Sequence, residues 1–262
     1  MRIINTATLK INYADDGPND APVIIFSNSL GSNLSMWQSQ VDHFKSDFRV
    51  IRYDHRGHGN TEVAAGPYSF EVLCNDVVAL MDALGIERAH FAGLSMGGMT
   101  ALGLALDHPD RVFGITAANC VAAIAPEGLK VWDERIAAIS ANGLEPILDG
   151  TIQRWFTQPT IDARPDEMKA VAGMIAATPV EGYLACCEAL KKLNYLKRLS
   201  SISTPTLFIA GTHDLGAPAA EMHDMHGRVS DSRYFELDAA HISNMERPHE
   251  FNQTLGDFIR SI

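Results

Sequence analysis

Two hydrophobic periods take turns along this chain. Leu9–Ala14 (LKINYA) switches between apolar and polar at each step, the spacing of a strand with one covered face. Pro22–Ser27 (PVIIFS), Phe48–Asp54 (FRVIRYD), Arg88–Leu94 (RAHFAGL), Phe113–Asn119 (FGITAAN), Thr204–Gly211 (TPTLFIAG) and Ser232–Asp238 (SRYFELD) are further short β-type runs. Several are apolar on both faces, as in a mostly parallel sheet covered by helices. Between them, Phe70, Leu73, Val77, Leu80, Met81 and Leu84 recur near the helical period and stop at Gly85. This predicts a helix over Ser69–Leu84 that crosses from one parallel strand to the next, and with it an α/β fold.

The alternation fails between about Ala122 and Leu199. That stretch is helix-like, contains Trp132 and Trp155, and is broken by Pro146, Pro159, Pro165 and Pro179. It reads as a helical insertion between two strands, placed where it can cover their C-terminal ends. The expected organisation is a core of residues 1–121 and 200–262 with a cap of residues 122–199.

Composition narrows the function. The 262 residues are 46% hydrophobic, enough for one full core. The net charge of −11, with no Lys/Arg run, argues against a nucleic-acid partner. A small anionic substrate remains compatible, because one or two local arginines suffice to hold it. The N-terminus lacks the continuous apolar core of a signal peptide, and no segment reaches the roughly 18 uninterrupted apolar residues of a membrane span. A soluble, cytoplasmic protein without a membrane partner is expected. Cys74, Cys120, Cys186 and Cys187 show no C-x-x-C spacing and sit in apolar stretches, as reduced, inert thiols do.

The strongest chemical signal is Gly93-Leu94-Ser95-Met96-Gly97, a G-x-S-x-G with a strand before it and an Ala/Leu-rich helix after it. A serine on so sharp a turn takes a strained backbone, and glycines two residues to either side remove the clash. A glycine-rich packing turn is the plain alternative, and the strand–helix context favours a nucleophile. A serine hydroxyl needs a base, and the base needs an orienting carboxylate. His241 lies in a loop after the last strand, and Asp214 sits just past an apolar strand. Asp238, three residues before His241, is the competing carboxylate. His55 and His58, in the turn YDHRGHGNT, are expected to be structural; His223 and His226 share a helix face but lack a third ligand, so no metal is expected.

These residues resemble the α/β-hydrolase fold over nearly the whole chain: the elbow at Ser95, the order Ser95, Asp214, His241, the turn DHRGHG and the ending AAHISNMERP. More narrowly, SNSLGSNLSMW, RYDHRGHG, GLSMGGM and LFIAGTHD look like the 3-oxoadipate enol-lactonases of the β-ketoadipate pathway. Two positions depart from the wider superfamily: Thr61 stands where serine is frequent, and Asn28-Ser29 replaces a common His-Gly pair. The resemblance implies a mostly parallel sheet flanked by helices, a helical cap and no cofactor. It implies an oxyanion hole from the backbone N–H groups of Met96 and Leu30. Its substrate is an anionic lactone, so the cap should supply a cation. Arg135 and Arg154, each near a tryptophan (Trp132, Trp155), are the candidates, with Asn28 and Ser29 either bracing their loop or touching substrate. A broader carboxylesterase or perhydrolase would use the same triad, a haloalkane dehalogenase would need aspartate at position 95, and a ligand-binding receptor could retain the triad with slow turnover.

Overall fold

The computed structural model describes residues 1–262. Its eight strands are β1 (Arg2–Asn5), β2 (Lys10–Asp16), β3 (Val23–Ser27), β4 (Arg49–Tyr53), β5 (Ala89–Leu94), β6 (Val112–Ala118), β7 (Thr206–Gly211) and β8 (Ser232–Leu237). They form one sheet in the order β1-β2-β4-β3-β5-β6-β7-β8. The six strands β3 to β8 run parallel, and β1 and β2 are antiparallel at one edge. The helices are α1 (Gln38–Phe44), α2 (Phe70–Ala83), α3 (Met96–Asp107), α4 (Pro126–Asn142), α5 (Leu148–Trp155), α6 (Gln158–Ala163), α7 (Pro165–Ala176), α8 (Val180–Lys191), α9 (Ala219–His226), α10 (Ser243–Glu246) and α11 (Pro248–Ile259).

Alternation along each strand feeds two apolar layers. Ile25, Phe91, Ile115 and Phe208 pack with residues of α2, α3 and α9; Ile24, Phe26, Ala92 and Ile209 pack with α1 and α11. Such two-sided burial explains the near-continuous apolar runs. The helix expected over Ser69–Leu84 forms as α2. Ser69 caps it by accepting the Val72 N–H at 3.2 Å, and Gly85 leaves it with φ +66°.

Strand β2 departs from the one-faced expectation. Ile11, Asn12, Tyr13 and Ala14 are all buried. The turn after β4 lies over the polar face: Asn12 Nδ2 donates to Asp54 Oδ2 at 2.7 Å, and its backbone N–H donates to Thr61 Oγ1 at 2.9 Å. A buried amide and a buried backbone N–H that each find an acceptor are far less costly than unpaired ones. The four-residue β1 and the helices α1, α10 and α11 went unseen in the sequence; the first three are short, while α11 carries Phe251, Leu255, Phe258 and Ile259 at helical spacing.

Between β6 and β7 the chain leaves the sheet for α4 to α8 and returns to the point of departure. Ala123 and Asn194 form an antiparallel bridge there, and Tyr195 N–H donates to Ala122 O at 2.6 Å. No single helix is long and apolar enough to cross a membrane; α7 and α8 pass that test only as a pair, bent by 87°. All four cysteines are buried and unpaired.

Candidate active site

Parallel strands end on one side of the sheet, and the loops that follow them converge there. Ser95 joins β5 to α3 with φ 57° and ψ −115°, the strained turn that presents its side chain above the sheet. The two flanking glycines are required by space. A Cβ on Gly93 would lie 2.0 Å from Gly97 O, and one on Gly97 would lie 2.1 Å from Ser27 O.

Asp214 follows β7 and His241 follows β8. His241 Nδ1–H donates to Asp214 Oδ2 at 2.8 Å, which leaves Nε2 free for the cavity that the imidazole lines together with Ser95. Asp214 Oδ2 also accepts from Asn119 Nδ2 at 3.0 Å, and Oδ1 accepts the N–H groups of Gly216 at 2.8 Å and Ala217 at 3.1 Å. Burial alone would raise this carboxyl's pKa. The charge and hydrogen bond of His241, with the Asn119 and Gly216 donors, outweigh it and hold Asp214 below the ordinary carboxylate value. Asp238 is elsewhere: it is exposed and pairs with His213 Nε2 at 2.8 Å and Arg247 Nη2 at 3.0 Å.

The loop after β3 is held by buried polar contacts. Asn28 Nδ2 donates to Tyr53 O at 2.8 Å, and Asn28 Oδ1 accepts from Trp37 Nε1 at 3.0 Å. Of the two roles open to Asn28, these bonds make it a brace of the loop, and it does not line the cavity, whereas Ser29 does. Asn28 O accepts Gly97 N–H at 3.0 Å and His55 Nε2–H at 3.1 Å, tying this loop to the elbow and to the turn after β4. His58 Nε2 accepts the Gly31 N–H at 3.0 Å. Burial lowers the pKa of His55 to about 3 and of His58 to about 4, so both are neutral braces. The Leu30 N–H donates to no group of the protein. Met96 is the first residue of α3 and has no acceptor within its helix. Two backbone donors thus remain unspent beside Ser95.

The cavity has a volume of about 170 Å³. Trp132, Arg135, Arg154 and Trp155 all line it from the insertion. The two arginines are not equivalent. Arg135 donates from Nε and Nη2 to Tyr183 OH at 2.9 and 2.6 Å, and from Nη2 to Thr151 Oγ1 at 3.2 Å. Arg154 forms no ion pair with a carboxylate; partial desolvation at the cavity wall first and the like charge of Arg135 second push its pKa below the usual guanidinium value. His223 and His226, on α9, pack edge-on and stacked against Tyr234, at 5.1 and 5.8 Å between ring centroids.

A family model describing the alpha/beta hydrolase fold matches residues 22–248. The chain belongs to the alpha/beta hydrolase fold family. Within that family it is 40% identical to 3-oxoadipate enol-lactonase 1 of Acinetobacter baylyi, over 100% of this chain and 97% of the relative. It is likewise 40% identical to 3-oxoadipate enol-lactonase 2 of the same organism, over 94% and 91%. The crystal structure of the enol-lactonase from Burkholderia xenovorans LB400 superposes with a TM-score of 0.95 at 40% identity, covering 99% of this chain and all of that one.

Sequence reasoning overlooked two polar side chains in the wall of this hydrolase cavity. Tyr183 packs its ring edge over Gly31 and offers its hydroxyl to Arg135. Asn119, with φ +48°, holds Asp214 Oδ2 while its Oδ1 accepts from Ser243 Oγ. A polar residue ending an otherwise apolar strand was the available signal for Asn119. Replacing it with alanine removes one of four donors to Asp214, and kcat should fall roughly tenfold, as expected for a lost hydrogen bond to a charged group. Steady-state kinetics check this, and an unchanged kcat would refute it.

Proposed function

We propose that this hydrolase is a 3-oxoadipate enol-lactonase, opening the lactone ring to 3-oxoadipate in the β-ketoadipate pathway of aromatic degradation. The observation that carries the reading is a pair of guanidinium groups without acidic partners in the same small cavity as Ser95, within a chain of net charge −11. A guanidinium that lines the cavity and that the protein leaves unneutralised is available to pair with an anion from outside. The substrate's carboxylate side arm supplies it, and relatives at 40% identity are enol-lactonases.

In the proposed reaction His241 Nε2 takes the Ser95 proton as Oγ attacks the lactone carbonyl. Negative charge develops on the carbonyl oxygen and is met by the N–H groups of Leu30 and Met96. Asp214 keeps Nδ1 protonated and stabilises the imidazolium. The ring C–O bond breaks, the enol oxygen takes the proton from His241, and the enol becomes the ketone. Water, deprotonated by the same imidazole, then cleaves the acyl-serine ester and restores Ser95. Each step is proton transfer and acyl transfer, with no redox change for a cofactor to perform. Residues 122–199 act as the cap, with Trp132 and Trp155 as its apolar walls. The four unpaired cysteines suit a reducing, cytoplasmic compartment.

Arg154 is the residue with hydrogen-bonding capacity to spare, so it is assigned to the carboxylate. Arg154→Ala should raise KM for the lactone on the order of tenfold or more, the size of a charge-assisted hydrogen bond, and leave KM for a neutral p-nitrophenyl ester little changed. Equal effects on both would sink the assignment. The function itself is tested by purified protein against 3-oxoadipate enol-lactone and a series of p-nitrophenyl esters. Efficient turnover of simple esters with an untouched lactone would make it a broad carboxylesterase.

A further inference from the structure

We propose that Glu246 is a positioning residue whose carboxylate bridges the loop of His241 to the segment carrying Arg154 and Trp155, and so sets the distance between base and substrate anchor. Glu246 is 1% exposed and pairs with no cationic side chain. Its two oxygens serve different parts of the molecule. Oε2 accepts the N–H of Ala240, the residue before His241, at 2.7 Å. Oε1 accepts from the start of α6: Thr157 N–H at 2.9 Å, Thr157 Oγ1 at 2.5 Å and Thr160 Oγ1 at 2.6 Å.

Neighbouring contacts run the same way. The Ile242 N–H, just after His241, donates to Trp155 O at 3.0 Å, and Arg164 donates to the carbonyls of Met245 at 3.1 Å and Glu246 at 3.3 Å. Ala240 O is held in turn by Asn119 Nδ2 at 3.2 Å. His241 is thus flanked by two peptide N–H groups, one bonded through Glu246 and one directly, that both lead into the segment from Trp155 to Thr160. That segment begins one residue after Arg154. The base that acts at the reacting carbonyl and the segment that follows the proposed anchor of the charged arm are thereby tied to each other. An error of about 1 Å between such groups is enough to lower a rate roughly 100-fold.

The inference rests on the proposed hydrolase site, and its test uses two p-nitrophenyl esters, one neutral and one bearing a terminal carboxylate, so that it does not depend on the lactone. Glu246→Gln keeps one acceptor oxygen and turns the other into a donor, so one side of the bridge is lost while the volume is conserved. Per active site, counted by titration of acylated serine, kcat should fall roughly 10- to 100-fold, and KM for the charged ester should rise about fivefold relative to the neutral one. A merely structural role would lower the fraction of active sites and the melting temperature without moving that KM ratio. The double variant Thr157→Val/Thr160→Val removes only two hydroxyl donors to Oε1. It should raise the charged-to-neutral KM ratio and keep kcat on the neutral ester within about threefold of wild type.

The proposal is overturned if Glu246→Gln keeps both kcat per site and the KM ratio within about twofold of wild type. It is equally overturned if the threonine pair loses as much kcat on the neutral ester as Glu246→Gln does. A wild-type enzyme that cleaves both esters but ignores the enol-lactone would refute the lactonase reading alone, and the two esters would still decide the bridge.

Discussion

Ser95→Ala should remove turnover almost entirely, with kcat falling roughly 10⁴- to 10⁶-fold while the protein stays folded. The loss is large because no other group in the cavity can take over. The other lining hydroxyls belong to Ser29, whose loop is braced by His58 and Asn28, and to Tyr183, which accepts from Arg135; neither is bonded to His241. What remains is the pair of backbone donors and a water beside the imidazole. The same position carries an opposite expectation for stability. A non-glycine residue at φ 57°, ψ −115° stores on the order of 1–3 kcal/mol, and glycine relieves that strain at an entropic penalty of about 0.5–1 kcal/mol. Ser95→Gly should therefore be inactive and melt at or above the wild-type temperature. Thermal unfolding of wild type, Ser95→Ala and Ser95→Gly, with a lactone assay on each, checks both halves. A glycine variant that melts well below wild type would show that the elbow is not strained.

Gly97→Ala should be the most damaging change that leaves the reacting side chains intact. A Cβ at this position would lie 2.1 Å from the Ser27 carbonyl oxygen and 2.5 Å from its carbon, and backbone cannot swing aside as a flexible side chain would. Either α3 or the end of β3 must move. The end of β3 leads into Asn28, whose carbonyl accepts the Gly97 N–H at 3.0 Å, and then into Leu30, whose N–H faces the proposed oxyanion. Displacement therefore reaches the oxyanion donors from both sides at once. Loss of a single such donor corresponds to roughly 2.7–4 kcal/mol in the transition state, or about 10²- to 10³-fold in kcat. Gly97→Ala should show at least that loss, together with a lower melting temperature from overpacking of about 1–3 kcal/mol. Normal kcat in a soluble Gly97→Ala protein would mean that the elbow and the oxyanion loop are not coupled through this contact.

Local rules were legible wherever the residues that matter are close in sequence. Apolar runs announced β3 to β7 because both faces of those strands are buried, and the helical period announced α2 with its serine cap and terminal glycine. The pentapeptide around Ser95 carries its own geometry, since glycine spacing and strand–helix context act within a few residues. Asn12 defeated the alternation rule because its partners, Asp54 and Thr61, arrive from a distant turn. Asn28 looked ambiguous for the same reason: Tyr53 O and Trp37 Nε1 consume its amide only after β3 and β4 pair and the following helix folds back.

The sequence by itself determined the α/β class, the parallel sheet with a helical insertion between its strands, and a serine, an aspartate and a histidine in the loops after three of those strands. Those follow from periodicity and from motifs whose physics is local. Only the tertiary structure decided which charges are neutralised and which are left over. It gave Asp238 to His213 and Arg247, committed Arg135 to Tyr183 and Thr151, left Arg154 without an anion, and set Glu246 between Ala240 and the threonines of α6. Pairings of that kind depend on distances between segments up to 89 residues apart in the chain, and no period or local propensity encodes such distances.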